Sequence, residues 1–286
     1  MLILSAIING ILYGGVLAVL AYGMNLMFGV VQIIHLAYGQ SVMVGLYLVY
    51  VLTVLLHLPL IASCLIAVIA IALLGLLTHL SIIQPLLKAP LINQLLALAG
   101  LMVILENACL VIFGATYKAV PIHLPVLHIG ELYLATTNLT AFFGGLATLG
   151  LLYLFLNKTY IGLGIKATAQ DAEAASLMGI NPRLIYFVVL AAGGALAGIA
   201  AACFVPIYAV HPHFGGTFTL IAFVIVVLGG MGNLLGGLIG AFIIGVVTSV
   251  GSVLFNPEAG EILALLMFIL IILIRPQGIL GVRARA

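Results

Sequence analysis

The stretch NKTYIGLGIKATAQDAEAASLMGINPR, residues 157–183, interrupts a chain that is otherwise almost continuously apolar. It carries Lys158, Lys166, Asp171, Glu173 and Arg183, over a third of the charge in a protein with eight Lys plus Arg and six Asp plus Glu. Such a segment belongs in water. Thr168 with Asp171 three residues on reads as a capping-box start, and Gly179 supplies the left-handed residue that stops a helix. Good helix formers lie between them. Asn181 and Pro182 then give the N-cap and first-turn proline of a following helix. The expectation is a short helix lying across the gap between two membrane spans, with Leu177, Met178 and Ile180 as apolar contacts beside a polar face. It serves either as a solvated connector or as a docking helix for a soluble partner.

Outside this stretch the composition decides the class. The chain is 66% hydrophobic and 5% charged, with mean hydropathy +1.45, whereas a soluble domain is about a quarter charged. Apolar runs are continuous over about twenty residues, which fits membrane helices and not the short alternating strands of a β-barrel. The fold expected is an all-α polytopic membrane protein of about eight or nine transmembrane helices, one domain over residues 1–286. Broken or re-entrant segments are expected near 29–41 and 229–233. The first apolar run lacks the basic flank of a secretory leader. Cys64, Cys109 and Cys203 stand singly in apolar runs and read as core residues.

Working outward, the run from residue 2 to 34 is too long for one span, and Gly29 is the expected end. Gln32, His35, Tyr38, Gln40 and Ser41 follow as a polar cluster with little room for a loop. An irregular segment at that depth requires protein or a wet cavity to satisfy its backbone. Further spans are expected at 42–56, 59–83, 91–113 and 138–156, with a segment outside the membrane at 114–137 that leans toward β structure over 128–134. Beyond Pro182 a span runs to about 204. The stretch 217–254 is broken at Gly229-Gly230-Met231-Gly232-Asn233, and the last span opens at Asn256-Pro257-Glu258 and ends at Arg275-Pro276.

Sidedness follows from the bases. Lys88, Lys158, Lys166, Arg183, Arg275, Arg283 and Arg285 fall in three regions that share a side if Lys118 alone lies opposite, and the positive-inside rule makes that side cytoplasmic. Residues 157–183 then form a cytoplasmic loop and the C-terminus is cytoplasmic. With Arg183 and Arg275 on one side, 217–254 must cross twice or not at all.

Nucleotide-binding, metalloprotease and nucleophile-elbow motifs are absent, and no acid, base and nucleophile cluster is visible, so neither an enzyme, a cofactor nor a nucleic-acid partner is expected. Polar groups within spans are the functional candidates, because burying them requires a partner or a wet cavity. Asn9, Asn25, Gln32, His35, Tyr38, Gln40, Ser41, Glu106 and Asn107 read either as a modestly polar passage or as interhelical hydrogen bonds. Small residues spaced by four, at Gly193, Ala197 and Ala201, at Gly194, Gly198 and Ala202, at Gly232, Gly236 and Gly240, and at Gly10, Gly14 and Ala18, mark close helix packing. His211 and His213 have no adjacent Cys, Asp or Glu, which argues against a metal site.

Three stretches together give the chain a resemblance. Ile34-His35-Leu36-Ala37-Tyr38-Gly39-Gln40, Ala172 to Asn181, and Gly229 to Gly240 with Arg275-Pro276-Gln277-Gly278-Ile279-Leu280-Gly281 resemble the permease subunits of branched-chain amino acid ABC importers. The first departs at Tyr38 and Gln40, where that family often has His and Glu, and Ile221 stands where a Lys is common. Glu173-Ala174-Ala175 with Gly179 resembles the loop by which importer permeases dock on their ATPases. The resemblance implies ATPase coupling through Asp171, Glu173, Ala174, Ala175, Ser176, Leu177, Met178 and Gly179. It further implies a second permease subunit, two ATPase subunits, a periplasmic binding protein and a bacterial inner membrane. Urea and short-amide importers share this permease architecture. A self-sufficient secondary transporter with Glu106 as coupling carboxylate is the alternative of another class, since such carriers also use broken helices. A cytoplasmic helix with apolar knobs distinguishes the two, having no use in a carrier that works alone.

Overall fold

A computed structural model describes residues 2–87, 89–122, 127–129, 132–134, 136–275 and 277–281. Lys88, Glu131, Pro276, Arg283 and Arg285 lie outside the described residues. In chain order the helices are α1 (Leu2–Val31), α2 (Tyr38–Tyr50), α3 (Leu60–Thr78), α4 (Gln84–Leu86) and α5 (Leu91–Phe113). A two-stranded antiparallel hairpin, β1 (Leu127–Ile129) and β2 (Leu132–Leu134), lies where the β-leaning run was expected. Then come α6 (Thr136–Lys158), α7 (Tyr160–Gln170), α8 (Ala172–Leu177), α9 (Pro182–Phe204), α10 (Phe214–Gly229), α11 (Leu234–Leu254) and α12 (Pro257–Ile274). Single π-helical turns at Val51–Leu55 and His79–Ile83 extend α2 and α3.

Among the described residues eight helices are long and apolar enough to cross a membrane, and α10 is a shorter apolar helix. The protein is an all-α polytopic membrane protein, with the small hairpin outside its spans. Stretch 217–254 is two helices rather than one: Gly230 and Gly232 take φ of +102° and +81°, and α11 restarts with Asn233 capping Gly236 N–H at 3.0 Å. The same capping chemistry opens α9 at Asn181 and α12 at Asn256.

Helix α1 is the axis of the bundle and packs against α6, α9, α10 and α11. Residues Val16 to Tyr22 are all buried to 1% exposure or less. Its 30 residues reach about 45 Å at 1.5 Å per residue, longer than the roughly 30 Å hydrocarbon core. The expected end at Gly29 is overtaken by two residues. Gly29 does not terminate the helix; a Cβ on it would lie 2.9 Å from Gly232 Cα, so the glycine lets the α10–α11 turn cross closely. Gln32 closes the helix instead, at φ +58°, with its N–H donating to Phe28 C=O at 3.0 Å.

Residues 32–37 are non-helical, and α2 begins at Tyr38 rather than at 42. The polar cluster is therefore mostly the first turn of a buried helix. Protein atoms take up several of its backbone groups. Thr219 Oγ1 accepts from Gly39 N–H at 2.9 Å and lies 3.0 Å from the carbonyls of Leu36 and Gly215. Gly39 allows this approach, since a Cβ there would stand 2.1 Å from Gly215 O.

Small residues set the other seams. A Cβ on Gly194 would meet Ile71 O at 2.6 Å, on Gly198 Val68 Cα at 2.6 Å, and on Gly10 Val246 Cα at 2.7 Å. Without a hydrophobic drive between helices in lipid, this contact of backbone on backbone supplies the packing attraction. Gly236 stacks on Gly229 and Gly240 on Ile225 O across the α10–α11 pair, whereas Gly232 lies in the turn before α11.

Candidate functional site

The two ends of the bundle differ. At one end lie α7 and α8, the C-terminal ends of α1 and α6, the α10–α11 turn and the tail. Asn25 joins α1 to the α10–α11 turn, donating to Asn233 C=O at 2.8 Å and accepting from Gly232 N–H at 2.7 Å. The tail is tied in by Ile279 N–H to Leu228 C=O at 2.8 Å, and by Asn233 Nδ2 to Leu280 C=O at 3.0 Å. Lys158, Lys166 and Arg183 belong to this end. Lys118 belongs to the other, where it pairs with Val210 in an antiparallel bridge.

The helix expected over 168–178 is two helices, because two side chains cap in succession. Thr159 accepts from Gly162 N–H at 3.0 Å and starts α7, which contains Thr168. Asp171 leaves helical geometry, with φ −158° and ψ 109°, and its carboxylate accepts from Glu173 and Ala174 N–H at 2.9 Å each. Thr168 is thus a buried residue of α7 and not a cap.

Gly179 stops α8 at φ +87°. Its N–H donates to Ser176 C=O at 3.0 Å and Ile180 N–H to Ala175 C=O at 3.1 Å, the paired bonds of a Schellman close. Ile180 packs inward beside buried Ala175 and is not an exposed knob. Leu177 and Met178 are, at 90% and 84% exposure. They stand on a six-residue helix capped at both ends, beside exposed Asp171, Glu173, Ala174 and Ser176. Two large apolar side chains held rigidly in the open on a charged surface have the form of a docking patch.

Two cavities lie at opposite ends of α1. One, of about 630 Å³, sits at the Lys166 end, lined by Asn25, Asn157, Lys166, Gln170 and Asn233, with Lys166 Nζ 2.5 Å from Asn157 Oδ1. The other, of about 440 Å³, is at the Lys118 end between α1, α10, α11 and α12. Tightly packed residues of α1, from Ala18 to Tyr22, separate them.

Of the sequence candidates, Asn25 alone lines either cavity besides Asn9, which lines the second. His35, Tyr38 and Gln40 are 3% exposed or less, and His35 Nδ1, Tyr38 Oη and Gln40 Nε2 have no protein partner among the described residues. Burial lowers the His35 imidazole, which lies in the linker between two spans, to about 4, so it is neutral at pH 7. Gln32 is exposed at the end of α1. Asn107 is exposed and donates to Val103 C=O at 2.8 Å on its own helix. Glu106 is partly exposed and meets His213 Nδ1 at 2.5 Å. That pair corrects the sequence reading of His213 as lacking an acidic neighbour. No group of three His, Cys, Asp or Glu able to hold a metal occurs among the described residues, and all three cysteines are free.

Sequence reasoning missed Tyr13, Tyr208, Thr248, Ser249, Ser252 and Glu261, which line the 440 Å³ cavity. A signal was there: Asn9 and Tyr13, Thr248 and Ser252, and Glu261 and Leu265 are i, i+4 pairs on single helix faces.

The family described as branched-chain amino acid transport system, permease component, matches residues 6–272. The chain belongs to this family of transport permeases. The permease is similar to the high-affinity branched-chain amino acid transport system permease protein BraD of Pseudomonas aeruginosa, 27% identical over 97% of this chain and 95% of that one. It is similar to LivH of Escherichia coli K12, so named, at 26% identity over the same shares. A probable LivH of Methanocaldococcus jannaschii matches 46% of the chain at 30% identity. Among solved structures, PsaBC from Streptococcus pneumoniae in complex with Fab covers 96% of this chain and 91% of its own, with TM-score 0.50 and 16% identity. That likeness is one of fold. The permease is a multi-pass membrane protein and a permease subunit of an ABC importer, and its family is not one of enzymes.

Proposed function

We propose that the permease forms half of the translocation pathway of an importer for hydrophobic, branched-chain amino acids in the bacterial inner membrane. Residues 1–286 act as one permease domain, in which 157–183 is a cytoplasmic coupling loop. Its partners are a second permease subunit, two cytoplasmic ATPase subunits and a periplasmic binding protein. The observation that carries this reading is the exposed Leu177–Met178 tip of α8, rigid at both caps. Asp171, Glu173, Ala174, Ala175, Ser176 and Gly179 shape the surface presented to the ATPase. Lys158, Lys166 and Arg183 gather at the same end, which the positive-inside rule assigns to the cytoplasm together with the C-terminus. The pathway runs between the two cavities, and the packed layer of α1 is its shut gate. Asn25 faces this pathway, and the buried polar groups of His35, Tyr38 and Gln40 lie beside it.

Co-purification from the native membrane, followed by reconstitution with the binding protein, tests this. An ATPase pair is expected with the chain, and leucine uptake is expected only with ATP inside the coupled compartment. Leucine accumulation by the isolated chain with no nucleotide would overturn the reading in favour of a secondary carrier.

A further inference from the structure

The cavity between α1, α10, α11 and α12 is assigned no role by the coupling surface, yet its lining is chemically divided. Its walls are aliphatic at Leu17, Ile221, Val224 and Leu265, while Tyr13, Tyr208 and Glu261 supply polar groups. A volume of about 440 Å³ falls in the range of about 300–1,000 Å³ typical of small-molecule sites.

Each polar group has spare capacity. Tyr13 Oη and Tyr208 Oη lie 2.7 Å apart and share one hydrogen bond. One of the two phenols donates and the other keeps its proton for another acceptor. Tyr208, which lies beyond the end of α9, has its phenol pushed up by burial; the Tyr13 bond lowers it and the nearby Glu261 charge raises it again. Glu261 is exposed, one turn into α12, and has no ion-pair partner among the described residues. Ser249 and Ser252 donate to Ala6 C=O and Thr248 C=O at 2.7 Å each, which leaves their oxygens as acceptors. A carboxylate without a cation and a phenol proton without an acceptor among the described residues, with an aliphatic wall, together complement a small zwitterion with a branched apolar side chain.

We propose that this cavity is a solute-recognition site within the permease itself, taking an aliphatic α-amino acid as the zwitterion. Glu261 pairs with the ammonium group, the Tyr13–Tyr208 pair donates to the carboxylate, and Leu17, Ile221, Val224 and Leu265 receive the side chain. The assignment rests on the substrate reading above and adds to it a site and a set of contacts.

The test uses the whole transporter in proteoliposomes with leucine-loaded binding protein, and measures ATP hydrolysis and leucine uptake side by side. Glu261→Gln is expected to cut uptake at least about tenfold, a loss of roughly 1.4 kcal/mol in an interaction with the solute, while stimulated ATP hydrolysis stays within twofold. Leu220→Trp, on an exposed residue lining the same cavity, is expected to reduce leucine uptake more than alanine uptake. Unchanged uptake in Glu261→Gln together with equal losses for both solutes in Leu220→Trp would overturn the site while leaving the importer reading intact. Failure of the parent complex to move any aliphatic amino acid would overturn both.

Discussion

Replacing Leu177 and Met178 together by glutamate is expected to lower ATP-driven uptake at least about 100-fold while the protein remains folded in the membrane. Both side chains are almost fully exposed, so the free permease loses no contact. Any loss then comes from the docked state. Burying one such side chain contributes about 1.5–3 kcal/mol, and two exceed the roughly 2.8 kcal/mol that 100-fold requires. Burying glutamates in their place adds a desolvation cost. Uptake measured beside thermal stability in detergent separates the cases. Normal uptake in the double variant would remove the docking role.

The second large effect is expected in the fold. In Gly236→Val the new Cβ would stand 2.0 Å from Gly229 O and 2.8 Å from Gly229 C, which are backbone atoms and cannot swing aside. Helices α10 and α11 must separate, and the turn between them carries Gly230, Gly232 and the contacts to Asn25. Overpacking of this kind costs about 1–3 kcal/mol or more, and each kcal/mol moves Tm by about 2–4 °C in a chain of 150–250 residues. A fall of roughly 5 °C or more is expected by scanning fluorimetry. Gly100→Ala is the control, because nothing lies within 4 Å of its added Cβ. There the helix gains about 0.8–1.0 kcal/mol of propensity, and Tm is expected to hold or rise.

These expectations show which features are written locally. Asn181-Pro182 and Asn256-Pro257 open helices because a side-chain oxygen and a missing N–H act within one turn, and Gly179 closes one for the same local reason. The division of 217–254 into two helices followed from the glycine run at 229–232 and from charge parity, which excluded a single crossing. The division at Asp171 was not legible, since Thr159, Thr168 and Asp171 are all competent caps and only the fold decides which backbone leaves helical geometry. Gln32, Glu106 and Asn107 were candidates because they are polar in apolar surroundings. Period alone does not tell a helix face turned inward from one turned out. The 440 Å³ cavity was hidden for a different reason: Tyr13 and Tyr208 are 195 residues apart, and no window along the chain contains both.

The central claim is that α8 is a lever moved by another protein's ATP hydrolysis. The three native cysteines are buried or partly buried, so Met178→Cys introduces a readily reached thiol. Labelling that thiol from either side of sealed vesicles, and cross-linking it within the complete transporter, tests the claim most directly. The account predicts reaction only from the cytoplasmic side and a cross-link to the ATPase that ATP binding alters. Reaction from the opposite side, or a full complex in which this position never cross-links to the ATPase, would contradict it.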